Sequence, residues 1–283
     1  MTVNELNRKL VALLVPVLGR REALGAARII WEDVMGYSTV EIVTRGDHEL
    51  EDFTVRHIED IADRIVAGQP VQYAVGLARF MGMDFKVSPA TLIPRPETEG
   101  LVDMICDQAG DRPDLHVLDI GTGSGCIAIA LSRALRFPVV DAIDISDEAI
   151  SIARENAARL KSAVNFKTAD ALRLTPPAEP VYDIIVSNPP YVLQSERTAM
   201  DSRVVDYEPA SALFVPDSDP LLFYNTIAAY AGRALKPGGR LYFEINPLQA
   251  DSLSAMLQQK GYAQVAVSRD YLGRERYASA QKP

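Results

Sequence analysis

Apolar positions recur at helical spacing through the first 70 residues, and beyond residue 115 they fall into short runs separated by helical stretches. Leu6, Leu10, Leu13, Leu14, Val17 and Leu18 share one helical face, and Ala23 to Met35 continues the pattern to a stop at Gly36. Ser38-Thr39-Val40-Glu41 has the spacing of a capping box, which predicts a third, short helix. Phe53, Ile58, Ile61, Ala62 and Ile65 mark a fourth, closed by Gly68 and Pro70. Residues 1–70 therefore read as a helical bundle too small to hold much chemistry of its own. Residues 71–95 differ: Val71 to Gly76 and Phe80 to Val87 predict two strands around a turn, a hairpin linker. Two prolines in Leu92-Ile93-Pro94-Arg95-Pro96 then forbid regular structure until a helix begins near Thr98.

From Val117 the order is strand, helix, strand, helix. Val117 to Ile120, Pro138 to Ile145, Asn165 to Lys167, Tyr182 to Ser187 and Arg240 to Ile245 are predicted strands, with two more near 263–269 and 275–280. Helices are expected from Ser146 to Leu160 and from Leu221 to Leu235. Such alternation predicts an α/β fold in which a mostly parallel sheet is covered on both faces, here over residues 96–283. Residues 192–220 lack periodicity and read as a long loop of the lid or clamp kind.

Composition narrows the partners. A formal charge of −9, with no polybasic stripe, argues against direct nucleic-acid binding, because phosphate neutralisation supplies most of that affinity. No apolar run is long enough for a membrane span, and the first residues lack a signal-peptide progression. Cys106 and Cys126 form no disulfide framework and suit a reducing compartment, so a cytoplasmic protein is expected. His48, His57 and His116 show no metal-ligand spacing, and no metal is expected.

Two segments carry the chemistry. Asp119-Ile120-Gly121-Thr122-Gly123-Ser124-Gly125 lies where a first strand turns into a helix, and glycines there let backbone approach a ligand closely. A dinucleotide fingerprint needs glycine or alanine where this chain has Cys126, which counts against an NAD-dependent oxidoreductase. Asp144, ending the second strand, can accept both hydroxyls of a ribose; Asp141 sits on the other face of the pleat. The second segment, Ser187-Asn188-Pro189-Pro190-Tyr191, closes an apolar strand at the carboxyl end of the sheet. Asn188 and Pro189 each precede a proline and are held extended, so the Asn188 side-chain oxygen and the Pro189 carbonyl point in fixed directions. Two acceptors side by side suit an NH₂ group, and Tyr191 is expected to add an aromatic wall.

The Asp-x-Gly-x-Gly-x-Gly pattern resembles the S-adenosylmethionine-binding motif of class I methyltransferases. That resemblance implies a Rossmann-like, mostly parallel seven-stranded sheet and assigns Gly121, Thr122, Gly123, Ser124, Gly125, Asp144, Asp170 and Ala171 to the methyl donor. Asp170 would meet the adenine amino group and Ala171 the ring, although the narrower family often has an aromatic residue in place of Ala171. Together with Asn188-Pro189-Pro190-Tyr191, the pattern resembles methyltransferases of planar nitrogens, which act on adenine amino groups of DNA or RNA or on glutamine amides of proteins.

The flanks are similar to the peptide chain release factor glutamine methyltransferases. The similarity runs through Gly68-Gln69-Pro70-Val71-Gln72-Tyr73, Phe80-x-Gly82, Leu92 to Glu99 and Tyr207-Glu208-Pro209-x-x-Ala212-Leu213. One departure is Asn246 after Glu244-Ile245, where glycine is usual; that turn is expected to lie away from the methyl transfer. The resemblance implies methylation of the glutamine in the Gly-Gly-Gln loop of bacterial class I release factors. Asn188 and Pro189 would be catalytic, Pro190 and Tyr191 would help bind the glutamine, and Asn188 would also meet the donor. The 1–70 bundle would recognise the release factor. An adenine methyltransferase of DNA or RNA is the alternative reading.

Overall fold

Helix α1 (Val3–Met35) starts at a capping box in which Thr2 and Glu5 satisfy each other's backbone, and ends at Gly36 in the left-handed conformation. The computed structural model describes residues 1–283. Gly19 inside α1 has φ 74 and ψ 161, just after Pro16, so two helical segments meet there at a break. Helix α2 (Thr39–Thr44) follows the expected Ser38/Glu41 capping box, and α3 (Asp52–Val66) runs to Ala67. Leu6, Leu10, Leu14, Ile30, Trp31, Ile58, Ile61 and Ile65 form the core of this unit, and the Trp31 indole N–H donates to Asn7 Oδ1 at 3.0 Å. Phe53, expected on the apolar face of α3, is 73% exposed and stacks on His57 instead. Its position at the first turn of α3 puts it on the outer face that Val55 and Ile58 leave free.

The linker departs from expectation. Val71–Val75 is a helical turn, α4, closed by Gly76 at φ 82, where the sequence suggested a strand. Its Tyr73 and Ala74 are buried, and a β-branched apolar run this short does not discriminate strand from helix. The hairpin is confined to β1 (Leu77–Phe80) and β2 (Met83–Lys86), joined at Met81-Gly82. Phe80 and Phe85 meet edge to face, with centroids 6.1 Å apart.

Chain folding resolves into two compact units, residues 1–77 with 201–207 and residues 78–200 with 208–283. In the second, α5 (Pro96–Ala109) leads to β3 (His116–Ile120), α6 (Cys126–Ala134), β4 (Val139–Asp144), α7 (Asp147–Arg159), β5 (Asn165–Thr168) and β6 (Tyr182–Ser187). Residues 192–220 are not an unstructured loop. They hold β7 (Val192–Leu193), a 3₁₀ stretch Gln194–Ala199, α8 (Ser202–Tyr207), α9 (Ala210–Leu213) and β8 (Phe214–Val215), with β7 and β8 paired in parallel. Elements this short leave too few residues for a period to show. Helix α8 belongs to the first unit, where Arg203 pairs with Glu22 at 3.1 Å and the Tyr207 hydroxyl donates to the Ala67 carbonyl. The chain ends with α10 (Leu222–Ala234), β9 (Leu235–Glu244), α11 (Ala250–Gln259), β10 (Ala263–Arg269) and β11 (Glu275–Gln281).

The seven-stranded sheet has the order β10-β11-β9-β6-β3-β4-β5, with β11 antiparallel to both neighbours and the other pairs parallel. Strands β3 and β6 are buried over most of their length and therefore read as apolar runs without alternation, whereas β4 carries Asp141 and Asp144 at half-buried positions. One face packs on α5, α6, α7 and the hairpin, the other on α10 and α11. Chain order reverses between β3 and β6, and a crevice opens at such a switch point beyond the carboxyl ends of the strands.

Candidate active site

The turn from β3 into α6 places Gly121, Gly123 and Gly125 at φ 78, 54 and 83. The amides of Gly121 and Thr122 donate to the Ile143 carbonyl at 2.9 Å, tying the loop to the end of β4. Gly125 is required twice over: its φ is left-handed, and a Cβ there would lie 3.1 Å from Ala153 Cβ and from Ile129 Cδ1. Gly125→Ala should therefore cost about 1–2 kcal/mol in urea unfolding, the strain of a non-glycine residue at positive φ. The Thr122 hydroxyl donates to Asp119 Oδ2 at 2.6 Å. Burial pushes the Asp119 carboxyl up to about 7 against the lowering effect of that bond. Asn156 of α7, fully buried, donates to the Ser124 carbonyl and to the Lys86 carbonyl, both at 2.9 Å, and accepts from the Lys86 amide at 2.7 Å. It splices the glycine loop to the hairpin. A lone asparagine in a helix carries no sequence signal for that role.

Asp144 stands at the end of β4 with both oxygens engaged: Oδ2 accepts from the Gly123 amide at 2.8 Å and Oδ1 from the Ser146 amide at 3.0 Å. Asp170 accepts from the Leu172 amide at 2.9 Å, capping the 3₁₀ turn Ala171–Arg173, and faces the Arg173 guanidinium at 3.4 Å. That turn packs against α10, which brings Phe223 and Ile227 to the same space as Ala171.

The end of β6 lies beside the glycine loop. The Ser187 hydroxyl donates to the Ile120 carbonyl at 2.6 Å, and the Asn188 carbonyl comes within 4.0 Å of where a Gly121 Cβ would sit. Asn188 Nδ2 lies 3.5 Å from Thr98 Oγ1 at the start of α5. Tyr191 departs from its expected place. It is not part of the cavity lining; its hydroxyl donates to Glu244 Oε1 at 3.0 Å, and its ring packs with the α10 and α11 core. Burial and the Glu244 charge raise the Tyr191 hydroxyl well above the usual phenol range. Burial likewise raises Glu244, which Thr98, Tyr191 and Arg276 partly offset. Asn246 also departs from expectation: its Nδ2 donates to the Tyr191 carbonyl at 3.3 Å and to Glu196 Oε2 at 3.2 Å, so the turn after β9 braces the acceptor segment. Glycine at that position would have no such arm. Glu208 accepts from the Arg95 guanidinium at 2.5 Å and from the Ile93 amide at 3.2 Å, joining the proline-rich strap to the segment before α9. In the sequence, Arg95, Thr98, Glu208 and Glu244 were legible only as parts of a resemblance, without roles.

These elements enclose one cavity of about 330 Å³. Ile120 to Ser124, Asp144, Asp170, Ala171 and Asn188 to Pro190 line it, so the structure brings together both sequence-predicted segments except Gly125 and Tyr191. Its residues fit S-adenosylmethionine. Ile145, Ala169, Ala171, Leu172, Phe223 and Ile227 make an apolar slot for a flat ring, Asp144 offers a carboxylate, and Ser124 Oγ is buried without a hydrogen-bond partner beside the glycine loop. No helix is long and apolar enough to cross a membrane.

Comparison with known proteins agrees with this construction. Residues 98–207 match the methyltransferase small domain model and residues 18–76 the PrmC N-terminal domain model. A release factor glutamine methyltransferase of Bacteroides thetaiotaomicron is 43% identical over 92% of this chain and 93% of its own length. One from Flavobacterium psychrophilum is 36% identical over 98% of both. A methyltransferase of Pyrococcus furiosus, 20% identical, superposes with a TM-score of 0.52 over 78% of this chain and 96% of its own, a likeness of fold. A glycine turn and an Asn-Pro-Pro segment facing one cavity, on a chain aligned almost end to end with these relatives, place the protein in the release factor glutamine methyltransferase family, enzymes that take their methyl group from S-adenosylmethionine.

Proposed function

We propose that the protein methylates the side-chain nitrogen of the glutamine in the Gly-Gly-Gln loop of class I release factors. The observation that carries this reading is the stiff Asn188-Pro189-Pro190 segment, which lines the same cavity as the glycine loop; its Asn188 side-chain oxygen and Pro189 carbonyl are the acceptors we assign to the NH₂ group. Gly121 to Gly125 would pass the methionyl part of the donor, Asp144 the ribose and Asp170 with Ala171 the adenine, with Asn188 shared between donor and acceptor. The donor supplies an electrophilic methyl group on a sulfonium.

An amide nitrogen is a poor nucleophile because its lone pair is delocalised into the carbonyl. When its two hydrogens are held by Asn188 Oδ1 and the Pro189 carbonyl, electron density moves toward nitrogen and the lone pair takes a fixed direction. Orientation of this kind supplies much of the acceleration without a strong base. The displaced amide proton leaves to solvent once nitrogen carries the methyl group. The first unit recognises the release factor outside its loop; Val40, Val43 and Phe53 are the most exposed of its large apolar side chains and suit that contact.

The test is incubation with S-adenosylmethionine and cognate release factor, followed by peptide mass measurement. One added methyl on the loop glutamine is expected. Methyl incorporation into bulk DNA or RNA, with release factor unmodified, would assign the protein to adenine methylation instead.

A further inference from the structure

Three elements of the second unit converge on a buried carboxylate. Glu244 ends β9, Thr98 lies in the first turn of α5, and Tyr191 follows β6. Glu244 and Thr98 are 1% and 2% exposed. Thr98 Oγ1 donates to Glu244 Oε2 at 2.6 Å, and the Tyr191 hydroxyl donates to Oε1 at 3.0 Å. Arg276 and Glu97 are the other charged groups that act on Glu244, with Arg276 offsetting its charge.

A threonine hydroxyl has one proton. Here Glu244 takes it, so toward Asn188 the same oxygen can only accept. Asn188 must then present its NH₂ to Thr98, at 3.5 Å, and turn Oδ1 the other way. Which end of an asparagine amide faces a neighbour is set by such a network, because the two ends are nearly the same shape. The frame is held from behind as well. The Tyr277 hydroxyl donates to the Glu97 carbonyl at 2.5 Å, and a Cβ at Gly100 would collide with it, so α5 sits where only glycine admits the tyrosine.

We propose that Thr98 and Glu244 are positioning residues of the acceptor site: through the Thr98 hydroxyl, Glu244 fixes the Asn188 amide with its oxygen toward the glutamine NH₂. The idea rests on the acceptor role given to Asn188 above, and its test reads the amide directly as well as turnover. In ¹⁵N-labelled protein the Asn188 side-chain NH₂ pair is identified by its loss in Asn188→Ala. Thr98→Val, which keeps the shape and removes the hydroxyl, should shift that pair. It should lower kcat on release factor roughly tenfold, with KM and donor affinity within about twofold, the signature of a lost orienting bond. Thr98→Ser should restore both readings, and Glu244→Leu, which leaves the Thr98 proton without the acceptor that takes it, should shift the pair as Thr98→Val does. An Asn188 pair unmoved by Thr98→Val, or Thr98→Ser as damaging as Thr98→Val, would overturn the proposal. If the wild-type protein leaves release factor unmethylated, the substrate reading fails and the amide shifts still decide this one.

Discussion

Asn188→Ala is expected to lower the single-turnover rate of release-factor methylation by about two to three orders of magnitude, while donor affinity changes less than tenfold. The size follows from the kind of interaction removed. A preorganised polar group aimed at the reacting atoms is worth about 10²–10³ in rate when deleted, because it acts on charge that develops only in the transition state. Asn188 lies at the cavity between the glycine loop and the proline pair, and its backbone is confined by Pro189 and Pro190, so no neighbouring side chain can move in to replace its oxygen. The residues proposed to hold the donor, Gly121 to Ser124 and Asp144, line the same cavity and are left in place by the substitution. The rate is measured by quenched single turnover with radiolabelled donor, and donor binding by calorimetry. Near-normal turnover in Asn188→Ala would remove the acceptor from the mechanism, and a loss confined to donor binding would make Asn188 a donor ligand only.

The residues that the sequence made legible are those whose chemistry is local. Glycines at a strand exit and prolines after an asparagine constrain their own backbone, and an aspartate at the end of the next strand has a fixed place relative to them, so their roles can be read before any tertiary contact is known. The strand and helix alternation was legible because β3, β4 and β6 are short, mostly apolar segments repeated at regular intervals with helical stretches between them. What remained hidden depends on pairing between distant segments. Glu244 and Thr98 are 146 positions apart, and Asn156 meets Lys86 across 70. A buried glutamate has no periodic signature, and its burial becomes intelligible only when the two hydroxyls that satisfy it are known. Tyr191 was misplaced on similar grounds. Its ring suggested a wall for a planar substrate, whereas burial of the hydroxyl required a partner, and that partner, Glu244, is not among the residues lining the cavity. The short helix α4 and the elements between 192 and 215 are not visible in the sequence because segments of two to six residues without a repeating partner show no period.

Asp144→Ala should weaken S-adenosylmethionine binding about 100-fold, the largest effect on the donor side. Two contributions add. The carboxylate can accept both ribose hydroxyls, and hydrogen bonds to a charged group are worth about 1.5–3 kcal/mol each before the cost of stripping its own water. In the protein itself Oδ2 holds the Gly123 amide at 2.8 Å and Oδ1 the Ser146 amide at 3.0 Å, so removing the carboxylate also frees the glycine loop to leave its binding shape. A net loss of about 3 kcal/mol corresponds to about two decades in affinity. Asp144→Asn separates the contributions: it keeps one accepting oxygen in place of two and loses the charge, so about a tenfold loss is expected. The measurement is calorimetric titration of donor into each variant, with the unfolding midpoint followed in parallel. Equal affinity in Asp144→Ala and the wild type would move the ribose elsewhere in the cavity. A lowered unfolding midpoint in Asp144→Ala reads the loop contribution, because a ribose ligand alone contributes nothing to the stability of the unliganded protein.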